Sequence, residues 1–498
     1  MSEMLDDSLS ENLGKINAHL DSLYLLANPF FRISKPTPEN LIKYKNYKQH
    51  GLKYRIITNL IRFPGTVFVQ SIWNISLSFI TFREWFPRRR FIGNKFNFLG
   101  ISQVTSSKQG FKEDPLLGQI PQILNTRTNL GMFYLNGTLI PRDFAHKSLV
   151  SQVNCDVVLN SKTLSPGETI RVLWTNMVTC VGFIAHEFKR KTWTLDQLYL
   201  ITEGVLFQFR RATYANLVLL RRIIEILDCS EVQTIFFTIE GHSHEAMLIS
   251  LIKTKYPETD IQVIQHAPLV PSQFGYFENL KLLRQSDSIL CTGETTKDFT
   301  KEYLLTSDLA CKDVRVIGSS KNHAPRESVL QLNQRPRISI LLLPEGTVNS
   351  ALEFLELLKN LAFEFPHICF VLRLHPATRE NPKIHSLMNS SFTGNATISK
   401  TSLVGDLSET DYCIYRSSAA ALEALSFGVI PIHYNSNSSF DLDPIFEDLL
   451  RHPKATSYEN LEEKIRLMTE TQGKSTWDAK KMTDYFSNYY APLNIDSM

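Results

Sequence analysis

The stretch Asp411-Tyr412-Cys413-Ile414-Tyr415-Arg416-Ser417-Ser418-Ala419-Ala420-Ala421-Leu422-Glu423-Ala424-Leu425 decides how this chain is read. The short apolar run Tyr412 to Tyr415 has the composition of a buried strand. Ser417 suits an N-cap, and the alanines after it let a helix pack close to a sheet. A second stretch, Arg373-Leu374-His375-Pro376, follows the apolar run Ile368 to Leu372, and Pro376 stops the chain continuing as strand or helix. Each stretch puts polar groups just past the C-terminal end of a parallel strand, where open α/β sheets bind ligands. A histidine and a serine-capped helix start facing one crevice suit a diphosphate or a nucleotide monophosphate.

Outward from these stretches the pattern repeats. Apolar runs predict strands at Ile338–Leu343, Ile368–Leu374, Ala396–Ser399, Tyr412–Tyr415 and Val429–His433. Helical patterns fill Val348–Glu364, Ser418–Phe427 and Tyr458–Glu470. Upstream, strands are expected at Phe96–Val104, Leu130–Leu135, Asp156–Leu159, Gln233–Ile239, Asp260–Gln265, Ser288–Thr292 and Asp313–Ile317. Helical stretches fall at Leu195–Leu227 and His242–Thr254. Strands alternating with helices predict parallel sheets. The expected organisation is an N-terminal, mainly helical extension over 1–91, a first Rossmann-like lobe over 92–320 and a polar linker over 321–336. A second Rossmann-like lobe follows over 337–475. The last segment, 476–498, would carry a helix crossing back to the first lobe.

Composition supports this size and class. At 498 residues the chain exceeds one ordinary core. With 43% hydrophobic and 21% charged residues it is an ordinary globular sequence. A net charge of +3 lacks the basic footprint of a nucleic-acid binder. The seven cysteines are scattered, with no Cys-x-x-Cys pair, so neither a zinc site nor a disulfide framework is indicated. A reducing cytoplasm is the simplest reading. The polar N-terminus is not a secretory signal. The largely apolar segment Thr66–Phe82 precedes Arg83 and Arg88-Arg89-Arg90. It has three readings: a buried helix or strand pair, an interfacial patch with arginines facing anionic lipid, and a membrane span, for which it is short.

The remaining candidates sit at predicted strand ends. His375 can donate to a phosphate oxygen, and Arg373 could add charge if the strand stays regular that far. Glu423, a turn and a half into its helix, could accept from ribose hydroxyls. Glu240-Gly241-His242-Ser243-His244-Glu245 follows Gln233–Ile239. Glu240 could serve as a general base, with Glu245 and His244 as competing candidates and an acidic helix start as the plain alternative. In Gln265-His266-Ala267-Pro268, His266 could hold the donor or act as the base. His242, His244 and His266 offer no clear third partner to a His-x-His metal pair.

Glu240-Gly241, His375-Pro376 and Ser417-Ser418 together resemble nucleotide-sugar glycosyltransferases of the GT-B fold, two Rossmann-like lobes with the active site in the cleft between them. More narrowly, they resemble the bacterial sialyltransferase, polysialyltransferase and Kdo-transferase group, with its acidic-Gly, His-Pro and Ser-Ser motifs. Residues 95–475 are also similar to bacterial surface-carbohydrate (capsule and lipopolysaccharide) biosynthesis proteins. The resemblance implies that His375 and the two serines bind the CMP phosphate and that Glu240 is the base. The residue before Glu240 is Ile239, where the family pattern has a second acid. On this reading a CMP-activated ulosonic or sialic-type sugar moves to a hydroxyl of a surface glycan or lipid-linked glycan. Glu240 or His266 takes the proton. His375, the helix start at Ser417-Ser418, and Arg373 or Arg416 stabilise the leaving group. No metal or other cofactor is expected, since Asp441-Leu442-Asp443 lies in a late loop rather than at a strand end. The expected setting is cytoplasmic, with peripheral membrane contact through 66–90. Two other readings stand: a teichoic-acid-type glycerol- or ribitol-phosphate transferase using a CDP-polyol and His266 as base, and a non-catalytic subunit on the same scaffold.

Overall fold

In the computed structural model, two parallel sheets are built in the same way. The structure describes residues 52–80, 96–104, 114, 116–136, 156–159, 165–174, 177–178, 211–240, 243–270, 286–306, 313–322, 337–376, 378–379, 381–388, 394–435, 442–446, 450–470 and 479–498. The first sheet comprises β1 (Phe98–Val104), β2 (Leu130–Asn136), β3 (Asp156–Leu159), β4 (Thr234–Ile239), β5 (Asp260–Gln265), β6 (Ser288–Cys291) and β7 (Val314–Val316). The second comprises β8 (Ser339–Leu343), β9 (Cys369–Leu372), β10 (Ala396–Ile398), β11 (Tyr412–Tyr415), β12 (Ile430–Tyr434) and β13 (Lys454–Ala455). Their strand orders are β3-β2-β1-β4-β5-β6-β7 and β10-β9-β8-β11-β12-β13. Both reverse direction beside the first strand of the sheet, which is the doubly wound, Rossmann-like order. The α/β, GT-B-like architecture read from the sequence is therefore the architecture of the chain, two Rossmann-like lobes with a helix ahead of them.

The strands form where the sequence is rich in apolar residues because both sheet faces are covered. All six residues of β4 and all four of β11 are buried. Pro431 inside β12 looks out of place, since proline cannot donate to a ladder. The amides of Ile430 and His433 point to opposite neighbours, Asp411 O beside β11 and Pro453 O beside β13. The Pro431 nitrogen therefore points towards β13, which pairs with β12 only from His433 onward. No ladder bond is lost.

The helices that position the strand-end loops are α1 (Leu52–Ile80), α2 (Ile120–Asn125), α3 (Arg211–Cys229), α4 (Ser243–Lys255), α5 (Glu294–Thr306), α6 (Val348–Glu364), α7 (Pro382–Met388), α8 (Leu403–Ser408), α9 (Ala420–Leu425), α10 (Tyr458–Glu470) and α11 (Ala479–Tyr489). Thr347 caps α6 by accepting from the Ser350 amide. The segment after α11 runs along the first sheet's edge. Ala491 N donates to Thr292 O, Ser319 N to Ala491 O and Asn494 N to Ile317 O. Gly318 takes φ +83°, and a Cβ there would stand 2.1 Å from Pro492 O. Only glycine satisfies both conditions.

The two lobes also meet through their strand-end loops. Phe299 of α5 stacks on Phe446, after β12, with ring centroids 4.7 Å apart. Leu269 N, after β5, donates to the Tyr489 hydroxyl of α11 at 2.8 Å. Lys321, after β7, lies 3.8 Å from Glu423 of α9. The C-terminal edges of both sheets thus turn towards one another.

Two expectations need correction. The apolar segment from Thr66 is helical rather than a strand pair, and α1 begins earlier, at Leu52. Several of its apolar residues stand exposed rather than buried. The basic run Arg88-Arg89-Arg90, most of the 321–336 linker and residues 195–210 lie outside the described residues.

Candidate functional site

In the first lobe, the register of β4 against β5 pairs Ile239 with Gln265. The next residues, Glu240 and His266, are therefore neighbours at the sheet edge. Their side chains meet, with Glu240 Oε1 3.0 Å from His266 Nε2, and they are 16% and 18% exposed. A carboxylate against an imidazole nitrogen fixes the orientation of both groups.

Glu245 is not a second base in the same position. It is buried, and its two oxygens accept from the Glu240 amide at 3.1 and 3.2 Å. It ties the first turn of α4 back to the strand end that carries Glu240. Gln265 is also buried, and its amide oxygen accepts from the Thr292 amide and hydroxyl at 3.3 and 3.2 Å. Its side-chain nitrogen donates to Ala267 O. These bonds hold the loop behind His266. Gly241 and His242 lie outside the described residues. Among the described residues, no group of three His, Cys, Asp or Glu side chains is placed to hold a metal ion.

In the second lobe, the strand order reverses between β8 and β11. The crevice at this switch point is made by the β8–α6 and β11–α9 loops. The β8–α6 loop carries Pro344-Glu345-Gly346-Thr347, which sequence reasoning missed. Glu345 Oε1 accepts from Arg416 Nε at 2.6 Å and from Ser417 Oγ at 3.2 Å, and Oε2 accepts from Arg416 Nη2 at 3.0 Å. Ser350 Oγ donates to the same carboxylate. Burial alone would raise the Glu345 carboxyl, but the Arg416 hydrogen bond and charge outweigh it and hold the group below its ordinary value. Glu353 Oε2 takes Arg416 Nη1 at 2.9 Å. The Arg416 guanidinium, expected to meet a ligand, is instead clamped by two carboxylates.

Ser417 also departs from expectation. The residue preceding α9 is Ala419, with no side-chain cap bond, and α9 has six residues. The Ser417 hydroxyl goes to Glu345 because that carboxylate lies within reach before the helix starts. Ser418 follows in the same loop, and its carbonyl accepts from the Ala421 amide.

Beyond β9 the strand does not stay regular to His375. It ends at Leu372, and Arg373 turns aside. Arg373 Nη1 donates to Asp406 Oδ2 at 2.7 Å and to Thr401 O at 2.9 Å, a clamp that holds the β10–α8 connection. His375 is exposed, and its ring borders the β8–α6 loop. A Cβ on Gly346 would stand 3.0 Å from His375 Nδ1, so the glycine lets this loop approach the ring. Although the residue is exposed, the protein packed around its ring withdraws enough water to disfavour the charged form and lower the His375 pKa below the ordinary histidine value. Pro376 follows it in a turn, with Thr378 N donating to His375 O. Glu423 is directed at Lys321 and forms part of the contact between lobes.

Behind the β11–α9 loop lies a buried polar cluster. Asp443 Oδ1 accepts from the Tyr415 hydroxyl at 2.7 Å and the Ile445 amide at 3.0 Å. Its Oδ2 lies 2.8 Å from His452 Nε2 and 3.3 Å from Lys454 Nζ. His433 Nε2 is 2.9 Å from Arg416 O, so the ring can donate to the carbonyl at the head of the loop. Burial would raise Asp443, but the His452 hydrogen bond, the charges of His452 and His433, and the Tyr415 hydroxyl bring it down to about 2. Asp443 thus serves as an internal anchor.

No family model and no curated protein matches the sequence. Solved structures with a similar course of chain include the UDP-GlcNAc 2-epimerase of Neisseria meningitidis bound to UDP-GlcNAc, at 13% identity and a TM-score of 0.45, covering 80% of this chain and 97% of that one. Another is the putative UDP-N-acetylglucosamine 2-epimerase of Listeria monocytogenes, at 11% identity and 0.46, covering 81% and 94%. A third is the α,α-trehalose 6-phosphate synthase of Burkholderia multivorans, at 10% identity and 0.44, covering 79% and 94%. At such identities and scores the likeness says nothing of chemistry.

Proposed function

We propose that the chain is a glycosyltransferase that moves a sugar from a nucleotide donor to an acceptor hydroxyl, with the donor in the second lobe and the base in the first. The observation that carries this reading is the Glu240–His266 pair, 3.0 Å apart at adjacent strand ends on the edge that turns towards the second lobe. Of the two, Glu240 takes the acceptor proton. His266 Nε2 holds and orients that carboxylate, while the other ring nitrogen, Nδ1, is buried. Glu245 holds Glu240 in place through its amide.

The donor phosphate lies at the switch point, contacted by His375, Ser418 and the backbone of the Gly346 loop ahead of α6. Arg416 and Glu345 shape that loop instead of binding the phosphate directly. Dipoles and hydrogen bonds aimed at the leaving phosphate can stabilise it in a crevice poor in water. We favour a CMP-activated ulosonic or sialic-type sugar and a bacterial surface glycan, lipid-linked or free, as acceptor. Support for that choice comes from His375-Pro376 and Ser417-Ser418 and from the resemblance they carry.

Donor screening with the purified chain tests the reading. Turnover of a CMP-sugar is expected, and it should fall about 10²-fold or more in both His266→Ala and Glu240→Gln. Turnover of CDP-glycerol or CDP-ribitol with no CMP-sugar activity would assign polyol-phosphate transfer instead. If no cytidine or uridine nucleotide raises the melting temperature even in large excess, the chain is not a nucleotide-dependent enzyme.

A further inference from the structure

Among the described side chains of helix α1, five apolar ones face solvent. Ile57, Ile61, Phe68, Val69 and Ile72 are between 49% and 73% exposed. At about 100° per residue they fall within an arc of roughly 120°. On the opposite side Asn59 is 1% exposed, and α1 touches α3 of the first lobe. The inward side also holds the buried Ile56, and a surface helix of a globular protein ordinarily turns polar residues, not a second apolar stripe, to solvent. From Ile57 to Ile72 the stripe runs about 22 Å along the axis.

Charge indicates what covers it. Residues 51–95 hold eight Lys and Arg residues against one acid, Glu84. This stretch therefore carries +7 in a chain whose total is +3, and the remainder is net acidic. Arg62 is exposed and borders the stripe. A second copy of this face would set like charge against like charge. Residues 1–50, with six acids and six bases, offer no net charge to match it. Exposed Ile and Phe flanked by cations are the chemistry of an anionic lipid surface: the apolar side chains enter the headgroup boundary and the cations meet phosphates. Among the described residues no helix is long and apolar enough to cross a membrane.

We propose that the exposed face of α1, from Ile57 to Ile72, docks in the plane of an anionic lipid bilayer. The surface is independent of the cleft chemistry and stands whether or not the cleft takes a nucleotide.

Sedimentation of the full chain with vesicles tests it. Vesicles of phosphatidylcholine mixed with phosphatidylglycerol should bind the chain at low salt, and pure phosphatidylcholine or high salt should weaken binding about ten-fold or more. Ile61→Glu combined with Phe68→Glu should keep the wild-type melting temperature, because both positions are exposed, and should lose vesicle binding about ten-fold or more. Ile72→Glu is a second variant on the same face should that pair lower the melting temperature. Arg62→Glu should weaken binding at low salt and change it little at high salt. Equal sedimentation of wild type and the Ile61/Phe68 variant overturns the proposal, as does failure of the wild type to bind any vesicle. A dimer that the double variant dissociates, without vesicle binding, would assign the face to a second copy.

Discussion

Replacing Asp443 by Asn tests whether the buried cluster behind the β11–α9 loop supports the candidate donor crevice. The carboxylate is 1% exposed and is surrounded by His452, Lys454, Tyr415 and His433. Its pKa falls from an ordinary 3.8 to about 2 in the folded chain, which corresponds to about 2 kcal/mol of stability. Because the folded value lies below the unfolded one, that contribution is complete above about pH 4 and disappears as pH falls through 2. About 1 kcal/mol of it is gone by pH 3. The amide keeps the shape and accepts from Tyr415, but leaves His452 and Lys454 without a counter-charge. Breaking a buried pair in this way costs about 3–5 kcal/mol.

Urea unfolding of wild type and Asp443→Asn at steps from pH 7 to pH 3 should therefore show a gap of about 3–5 kcal/mol at neutral pH, narrowing by about 1 kcal/mol at pH 3. The cluster reaches the crevice through His433 and Arg416 O, so the variant should also weaken nucleotide binding under conditions where it remains folded. A gap below about 1 kcal/mol at pH 7, or one that does not change with pH, would show that Asp443 is not the anchor described.

Four further outcomes are expected. Nucleotide affinity should rise as pH falls below the ordinary histidine range, because a bound phosphate favours the imidazolium that burial disfavours in free His375; His375→Ala should flatten that slope, as titration calorimetry at several pH values would show. Gly318→Ala should destabilise the chain by more than about 1 kcal/mol, since it adds both a left-handed residue and a clash with Pro492 O, and should expose the C-terminal segment to protease. Glu423→Gln should change nucleotide affinity less than about three-fold, because its partner is Lys321 and a partly exposed pair is worth at most about 1 kcal/mol; a loss of ten-fold or more would put Glu423 on the ribose. Glu345→Gln should weaken nucleotide binding through the loop, and the same loss in Arg416→Ala would show that the two act as one unit.

The fold was legible because the buried parallel strands are short segments rich in apolar residues, bounded by polar ones. Asp156–Leu159, Asp260–Gln265 and Tyr412–Tyr415 coincide with β3, β5 and β11, and Val348–Glu364 and Tyr458–Glu470 with α6 and α10. The elements that escaped, α2, α7, α8 and the two-residue β13, are too short to develop a period. At the site, Glu240 and His266 were singled out separately, and the register of β4 on β5 makes them a pair. Glu345 escaped because its role depends on Arg416, 71 residues away. Glu345 itself, 72 residues from Ser417, defeated the N-cap reading of that serine, since local propensity cannot anticipate a competing carboxylate from another loop.

These pairings change the expected electrostatics of the second lobe. Arg373 and Arg416 looked like a cationic wall, yet Asp406 and the Glu345/Glu353 couple each hold one of them. Burial lowers His375, which favours its neutral ring. The crevice therefore presents hydrogen-bond donors with little uncompensated positive charge, whereas α1 and its flanks concentrate cations. Salt distinguishes the two surfaces. Screening at high ionic strength acts strongly on exposed, unbalanced charge and weakly on short hydrogen bonds in a partly buried crevice. Raising salt should strip the chain from anionic vesicles while leaving the nucleotide dissociation constant within about two-fold. A steep loss of nucleotide affinity with salt would mean that at least one guanidinium leaves its carboxylates to meet the phosphate, and the donor wall would then be charged after all.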